Sequence, residues 1–305
     1  MKINNQMDII KNKKFYLVFS GLLVLISLVL VVILGFRPGI DLVGGTEWQI
    51  RFERQTSSES IVKFLQETSP DFSNVSVKTR GEDFVLRLPP LSEVDHQKYL
   101  SDLENKFGPA AEGSFASVGP TIGKELLKKA VLALIFVIIA ISLYISWAFR
   151  KVSRAISSWK YGLITLATLF HDVAIPAGLF AFLGWHSGLE IDTNFIVALL
   201  VVMGFSVHDT IVVFDRIREN ILRSNIAKTT LKDIINKSIR ETFVRSINTS
   251  LTLFLVLVAL LIFGPASLFY FLLTILTGTI FGTYSSIFVA SPLLYLWRPR
   301  QVFKE

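Results

Sequence analysis

Residues 15–34 read FYLVFSGLLVLISLVLVVIL, a run of twenty residues without a charged side chain. A transmembrane helix needs about 20 consecutive apolar residues, so this run is long enough to cross a bilayer. It is too long for the apolar core of a cleaved signal peptide, and no small-residue cleavage pattern follows it. We therefore interpret it as an uncleaved membrane anchor that follows a short N-terminal segment, residues 1–14.

Five further apolar runs follow it. They cover approximately residues 130–149, 161–185, 191–214, 246–263 and 268–297. The composition agrees, because 51% of the 305 residues are apolar and only 18% are charged, whereas soluble domains are about 25% charged. The sequence predicts an α-helical polytopic membrane protein with six transmembrane helices, five of them in a membrane domain over residues 129–305. Pro292 lies near the end of the sixth run, where a break in the helix costs little.

Several functional classes are excluded by composition. The chain has no cysteine, which rules out disulfide scaffolds, cysteine metal sites and thiol nucleophiles. It has no G-x-x-x-x-G-K-[ST] loop, so we do not expect ATP hydrolysis. We expect neither an enzyme nor a bound cofactor or metal.

The distribution of Lys and Arg predicts the orientation in the membrane. Basic residues precede the first apolar run, follow the sixth, and fill the links between runs two and three and between runs four and five. The short links 184–190 and 264–267 contain none. By the positive-inside rule, both termini are cytoplasmic and the long link 35–128 is extracytoplasmic. That link carries a net charge of −3 and the rest of the chain +10, so the positive charge indicates topology and not nucleic-acid binding.

The long link 35–128 has the pattern of a small α+β domain. Alternating residues predict strands at 46–52, 74–80, 83–88 and 112–118. The patterns Thr56-x-x-Glu59 and Ser92-x-x-Asp95 predict the starts of two helices that end near residues 67 and 107. The order βαββαβ is typical of a ferredoxin-like domain. The link has no cluster of histidines and acids, and we expect its His96 to be isolated and solvent-facing, so a binding or lever element is favoured over an enzyme.

Asp209 is the main functional candidate, since an ionisable side chain near the bilayer centre costs about 2.5–3.5 kcal/mol. It lies seven residues, or about 10 Å along a helix, from Arg216 at the cytoplasmic end of its apolar run. It lies about 27 Å from the outer end of that run, and Arg245 lies about 28 Å from the outer end of the next run at Gly264. The two opposite charges are therefore predicted to lie at one depth on adjacent helices.

Two interpretations of this pair are open. Asp209 and Arg245 form a structural salt bridge between two helices, or Asp209 takes up and releases a proton while Arg245 acts as its partner. In a further alternative, Arg245 extends to the cytoplasmic interface and pairs with nothing in the membrane.

Other polar residues in the apolar runs are weaker candidates. Asp172, with His171, either bonds to the next helix or relays protons. His208 projects about 100° away from Asp209 and either titrates near neutral pH or packs through a hydrogen bond. Thr210 is a candidate for relay or packing. Asp192 is expected to face water at the outer rim, where it would mark a proton entrance.

Two further patterns concern helix packing. Small residues predict close approach of neighbouring helices; they are Gly178, Gly204 and the pair Gly278-x-x-x-Gly282. Residues 218–240 are predicted to form one amphipathic helix lying on the cytoplasmic surface of the bilayer.

Five motifs resemble those of a known family. They read GIDLVGGT (39–46), VGPTIG (118–123), HDV (171–173), GFSVHDTIVVFDRIREN (204–220) and RSINTS (245–250). These resemble, in the same order, the signatures of the SecF family of the bacterial SecDF protein-export complex. The residues that carry the resemblance outside the candidates named above are Gly39, Asp41, Gly44, Gly45, Thr46, Asp215 and Arg216. The resemblance covers nearly the whole chain.

The resemblance implies a function and partners. It implies six membrane helices with an external ferredoxin-like domain in the bacterial cytoplasmic membrane, pairing with SecD, and association with the SecYEG channel and the translocating unfolded polypeptide. The family belongs to the proton-driven RND transporters, which implies that Asp209 and Arg245 lie on a proton path. Phe205 and His208 depart from the family's Tyr and Asn, so sodium also stays open as the coupling ion.

The resulting hypothesis is a non-enzymatic subunit that uses the proton-motive force in late steps of protein export. Protonation of Asp209 would change its contact with Arg245, shift helices four to six and move the external domain. Two alternatives remain. A small-molecule exporter of the RND type would use the same charges but normally has two halves and larger external domains. A static assembly factor would need the two residues only for stability.

Overall fold

The computed structural model describes residues 8–73, 75–150, 156–224 and 229–297. The helices, in chain order, are α1 (Lys13–Leu34), α2 (Ile40–Val43), α3 (Ser58–Thr68), α4 (Glu93–Phe107), α5 (Pro120–Ala148), α6 (Ser158–Ser187), α7 (Thr193–Arg223), α8 (Leu231–Phe263), α9 (Phe269–Ser285) and α10 (Ser291–Leu296). The strands are β1 (Gly45–Phe52), β2 (Ser76–Arg80), β3 (Asp83–Leu88) and β4 (Ala110–Val118). Residues 38–131 form one compact unit, and the residues before and after them form a second.

Within the described residues, six helical spans are long and apolar enough to cross a membrane, which confirms the predicted number. Five of them are α1, α5, α6, α7 and α8, and the sixth is residues 269–296. The sixth span is interrupted by a π-helical turn at Ser286–Ala290, after which α10 starts. Pro292 follows this turn and lacks an N–H for the regular helical ladder, and the irregular turn begins six residues before the proline.

The six spans divide into central and outer helices. More than half of the most apolar stretch is buried in α6, in α7 and in the sixth span, whereas 11% or less is buried in α1, α5 and α8. The outer helices expose many leucine, isoleucine, valine and phenylalanine side chains, as expected of surfaces that face lipid or a partner. Several polar side chains on the central helices are surrounded by protein, among them Asp172, Ser206 and Asp209.

Residues 218–240 do not form the predicted single interfacial helix. Helix α7 continues to Arg223, and α8 begins at Leu231 after its N-cap Thr230, whose side chain accepts a hydrogen bond from the Asp233 N–H. Most of the described apolar side chains of this region are buried in the protein core, whereas Leu222 is exposed. The buried ones are Ile221, Leu231, Ile234, Ile235 and Ile239. An amphipathic pattern does not distinguish a lipid surface from a protein neighbour, which explains the error. Residues 225–228 lie outside the described part of the chain.

The unit of residues 38–131 contains a four-stranded sheet with the order β2-β3-β1-β4. All three neighbouring pairs are antiparallel. Alternate residues of β1 and β3 enter a core completed by side chains of α3 and α4, of which Trp48, Ile50, Ile61, Leu65, Leu86 and Leu103 are fully buried. The strands and helices follow one another in the predicted order.

The two predicted helix starts in this unit differ in outcome. Helix α4 begins after Ser92, whose Oγ accepts a hydrogen bond from the Asp95 N–H at 3.2 Å, as predicted. Helix α3 begins after Ser57, which accepts from the Ser60 N–H. The predicted cap, Thr56, instead donates to the Arg54 carbonyl at 3.1 Å. Of the predicted strand 74–80, residue 74 lies outside the described residues.

The motifs at residues 39–46 and 118–123 pack against each other within this unit. Gly44 has a φ of +87°, and a Cβ there would lie 2.6 Å from Pro120 Cα. A Cβ at Gly123 would lie 2.6 Å from the Gly44 nitrogen. Thr46 is buried, and its hydroxyl contacts Ser117 Oγ at 2.9 Å. Both glycines are thus required by close approach of backbone to backbone.

Candidate functional site

Asp172 lies in the middle of α6 and is fully buried. One carboxylate oxygen, Oδ1, lies 2.7 Å from His171 Nδ1. The other, Oδ2, accepts hydrogen bonds from Ser206 Oγ of α7 and, at 2.8 Å, from Ser285 Oγ of α9. Asp172 therefore bonds to the next helix, one of the two expected uses, and also to the sixth span.

Asp209 on α7 is 5% exposed. Its Oδ2 accepts a hydrogen bond from Ser286 Oγ, at the start of the π-helical turn. Asp209 follows Ser206 by three residues, so the two side chains share a face of α7. The adjacent residues Ser285 and Ser286 thus serve two different carboxylates, one from α6 and one from α7.

Close packing of α7 and the sixth span brings these groups together. A Cβ at Gly282 would lie 3.1 Å from Ser206 Cβ, and one at Gly278 would overlap the Val202 side chain. The two glycines are four residues apart, as are Val202 and Ser206 on α7, which confirms the close packing predicted for this glycine pair. A Cβ at Gly178 would lie 2.5 Å from Ser27 of α1, also as predicted.

The prediction for Gly204 is wrong. It is exposed, and no atom lies within 4 Å of its Cβ position. The presence of a small residue in a helix does not determine the direction in which that residue points.

Arg245 is not brought to Asp209. Among the described contacts of these two residues, no ion pair or hydrogen bond joins them, and Arg245 is exposed on α8. The buried residue at this level of α8 is its neighbour Ser246. The equal depth of the two residues was predicted from the rise per residue along a helix. Depth does not determine the direction of a side chain, because successive residues are rotated by about 100° around the helix axis. The predicted pair is therefore absent from this structure.

The remaining intramembrane candidates lie in different surroundings. His171 is buried and its ring lies 6.2 Å from that of Tyr284. Within the described part of the chain, its Nε2 and the Thr210 hydroxyl are buried without a hydrogen-bond partner. His208 is exposed, about 100° around α7 from the buried Asp209. Asp192 is the N-cap of α7 and accepts from the Phe195 N–H at 2.9 Å, which accounts for its position structurally.

The end of the long motif forms a second polar network. Arg216 Nε donates to Glu241 of α8 at 2.7 Å, and Asn220 Nδ2 donates to the same carboxylate oxygen at 2.8 Å. Asp215 pairs with Arg218 one turn later at 2.9 Å. The motif residue Arg216 thus ties α7 to α8, and its partner Glu241 was not identified from the sequence.

His96 is not solvent-facing, contrary to the expectation. It is 4% exposed, its Nε2 lies 2.6 Å from Glu112 Oε1, and its ring stacks on Phe115 with centroids 3.7 Å apart. Trp48 Nε1 donates to the same Glu112 oxygen at 2.7 Å. The helix-to-sheet contact that buries His96 joins residues distant in sequence, so local pattern does not show it.

Asp172, Asp209 and the serines that bond to them form what we call the carboxylate network. Its serines were not identified from the sequence; they are Ser206, Ser285 and Ser286. The signal in the sequence for two of them is that Ser285 and Ser286 are adjacent in an apolar run without charged residues. In the described residues, no group of three or more His, Cys, Asp or Glu side chains is placed to hold a metal ion. What the network contains is two buried carboxyl groups, Asp172 and Asp209, with serine hydroxyls as their hydrogen-bond donors.

Comparison with known proteins assigns the family. The family profile "Protein export membrane protein SecD/SecF, C-terminal" matches residues 98–300. The protein translocase subunit SecF of Thermobaculum terrenum is 39% identical over 97% of this chain and 96% of its own length. The chain belongs to the SecF family. A second relative, the protein translocase subunit SecF of Sebaldella termitidis, is 38% identical over 96% of the chain and 92% of its own length.

A solved structure supports the same assignment. The crystal structure of SecDF, a translocon-associated membrane protein from Thermus thermophilus, matches 97% of this chain with a TM-score of 0.82 and 33% identity. The match covers 39% of the SecDF chain. The present chain is therefore a multi-pass membrane protein of the SecF family that spans about two-fifths of that larger protein.

Proposed function

We propose that this chain is a non-enzymatic accessory subunit of the Sec translocase that couples the proton-motive force to late steps of protein export. The relatives named as translocase subunits support the first part. The SecDF structure, of which this chain matches 39%, supports SecD as the partner in the proposed complex. The complex then acts at the SecYEG channel on the emerging unfolded polypeptide.

The proposed location is the bacterial cytoplasmic membrane with both termini in the cytoplasm. The basic links described above support this orientation. It places residues 35–128 outside the cytoplasm. The sheet order β2-β3-β1-β4 with two helices supports the assignment of this domain as ferredoxin-like. Its role in the proposal is to contact the emerging chain.

The observation that carries the coupling proposal is the environment of Asp209. It is buried at the centre of the helical unit, and Ser286 is its hydrogen-bond donor. The charged form is opposed by the cost of burying a carboxylate in a membrane protein and supported by the serine donor. In the proposal, the proton gradient acts on this carboxyl group.

The electrical driving force sets the scale of what one proton can do. One elementary charge that crosses 100 mV supplies about 2.3 kcal/mol. This is enough to bias a two-state element, whereas large domain motions require several protons. Protonation of Asp209 therefore acts first on the contact between α7 and the sixth span, and repeated cycles drive the external domain.

Arg245 keeps a role in the proposal, although it does not pair with Asp209 in this structure. It lies on an exposed stripe of α8 together with Asn248, Thr249 and Thr252, residues spaced to share one side of a helix. An exposed Arg in a bilayer is costly, so this stripe is proposed to face the SecD partner. There Arg245 supplies the positive charge of the proton path.

Export into membrane vesicles tests the function. The gradient-dependent part of export is the part that an ionophore abolishes in the unaltered protein. We expect Asp209→Asn to lose this part and Asp215→Asn, a change at an exposed position, to retain it. Sodium coupling would show as loss with a sodium ionophore alone. If Asp209→Asn keeps full gradient-dependent export, the coupling proposal is wrong. If instead it no longer co-purifies with SecD, the residue serves assembly.

A small-molecule exporter is tested separately. Under the present proposal, purified protein binds an unfolded polypeptide through residues 35–128, and vesicles do not accumulate small apolar cations in response to a gradient. The opposite pair of results would favour the exporter.

A further inference from the structure

Helix α9 ends at Ser285 and the π-helical turn starts at Ser286, and each of these serines has two hydrogen-bond acceptors. Ser285 Oγ lies 2.8 Å from Asp172 Oδ2 and 3.1 Å from the Gly282 carbonyl. Ser286 Oγ bonds to Asp209 Oδ2 and lies 2.9 Å from the Thr283 carbonyl. A hydroxyl group has a single hydrogen, so each serine donates to its carboxylate or to its own helix.

The protonation state of the carboxyl group determines which acceptor is used. An ionised carboxylate only accepts, so the serine must donate to it. A protonated carboxyl group can donate its own O–H to the serine oxygen, and the serine hydrogen is then free for the carbonyl three residues earlier. In both arrangements the serine hydroxyl and the carboxyl group it contacts keep a hydrogen-bond partner, which is the condition for stable burial.

We propose that Ser285 and Ser286 are positioning residues through which the sixth span registers the protonation of Asp172 and Asp209. This inference rests on the proposed function, in which Asp209 exchanges protons. Donation from a serine hydroxyl to a carbonyl of its own helix bends the helix. The redirected bond lies at the start of the π-helical turn Ser286–Ala290, where the helix is already irregular.

Further titratable or charged side chains lie on the helices around the serine pair. They are Tyr16 on α1, His171 on α6, His208 on α7, Arg245 on α8 and Tyr284 on α9. His171 bonds to Asp172, and Tyr284 is bonded to Ser20 of α1. His208 and Arg245 are exposed. Among the described residues, the hydrogen-bond partner of Asp209 is the Ser286 hydroxyl.

Labelling by a hydrophobic carbodiimide, which reacts with protonated carboxyl groups, tests the inference on the purified full-length protein. Mass spectrometry reports the modification of Asp172 and Asp209 separately as a function of pH. We expect Ser286→Ala to move the Asp209 profile to higher pH by about one unit, because the ionised form loses its donor, and to leave the Asp172 profile in place. Ser285→Ala should displace the Asp172 profile by less, since Ser206 still donates to that carboxylate.

Three further variants complete the experiment. Ser286→Thr keeps the hydroxyl and should keep the original profile, and Ser286→Cys, a near-isosteric weak donor, should give an intermediate displacement. Ser291→Ala is the control, since that hydroxyl lies 3.4 Å from the Ser286 carbonyl and bonds to neither carboxylate. Unchanged profiles in the alanine and cysteine variants, or equal displacement of both carboxyl groups in either alanine variant, would overturn the inference. Labelling needs no gradient and no export, so this failure is distinguishable from a failure of the coupling proposal.

Discussion

At the level of single residues, opposing effects meet at the buried carboxyl groups. Asp209 is held away from solvent and is bonded by one serine, whereas Asp172 accepts from two serines and lies against His171. The two groups therefore differ in their surroundings: Asp209 has one serine as its hydrogen-bond donor, whereas Asp172 has two serines and the neighbouring imidazole.

Glu112 is predicted to stabilise the domain of residues 38–131 by satisfying two buried donors. Its Oε1 is bonded to Trp48 Nε1 and lies 2.6 Å from His96 Nε2. Glu112→Ala leaves both without this partner, so we expect the free energy of opening to fall by about 1–3 kcal/mol. Hydrogen exchange of the β1 and β4 amides in the full-length protein measures this. Glu53→Ala, at an exposed position, should change the value by less than about 0.5 kcal/mol, and an equal effect of the two changes would refute the prediction.

Asp83 is predicted to make the same domain sensitive to acid. Hydrogen bonds from Arg51 and then Gln49 hold the pKa of Asp83 below its usual value. Because the pKa is lowered by folding, the stabilisation is present above about pH 4 and is lost as the pH falls through the folded-state value. Thermal unfolding between about pH 2 and 6 should show a smaller acid-induced decrease in Asp83→Asn than in the unaltered protein. Parallel curves would contradict the prediction.

The sequence identified the residues with intramembrane charge but not their partners. Asp172 and Asp209 are ionisable residues within long apolar runs. The hydropathy of each run and the position of the residue along it are enough to identify them. The absence of an Asp209–Arg245 contact depends on the rotation of α8, and the burial of His96 depends on the docking of α4 on the sheet. Neither rotation nor docking is contained in a local pattern, so the pairing of Arg245 stayed open between alternatives and the burial of His96 was mispredicted.

At the level of elements, the close contact of α7 with the sixth span positions the carboxylate network. Gly278 and Gly282 lie against Val202 and Ser206, and this contact brings Ser285 and Ser286 to the two carboxylates. Long apolar runs predicted the six spans, and period-2 runs predicted the four strands. The π-helical turn and the division of residues 218–240 between α7 and α8 were not predicted, because both depend on contacts with other helices.

Gly278→Val is predicted to separate α7 from the sixth span. A Cβ at Gly278 overlaps the branched side chain of Val202, and overpacking of this kind costs about 1–3 kcal/mol. We expect a lower midpoint of thermal unfolding in detergent micelles. Gly204→Val is the matched control, since no atom lies within 4 Å of its Cβ position. The packing described here would be wrong if the two variants unfolded at the same temperature.

At the level of the whole molecule, the polar stripe of α8 is the proposed contact with SecD. The chain has no cysteine, so an introduced cysteine is a unique attachment point for a thiol-directed crosslinker. We expect Asn248→Cys to give an adduct with co-expressed SecD. Leu143→Cys lies on the exposed apolar surface of α5 and should give far less. Equal crosslinking at the two positions, or crosslinking at residue 143 alone, would move the interface away from α8.

The central claim is that Asp209 exchanges protons in response to the gradient across the membrane. Proton flux into vesicles that contain this chain and SecD, driven by an imposed pH difference, tests it most directly. We predict flux in the unaltered complex and in Asp215→Asn, and its loss in Asp209→Asn. Undiminished flux in Asp209→Asn, with the complex assembled at its normal level, would contradict the account.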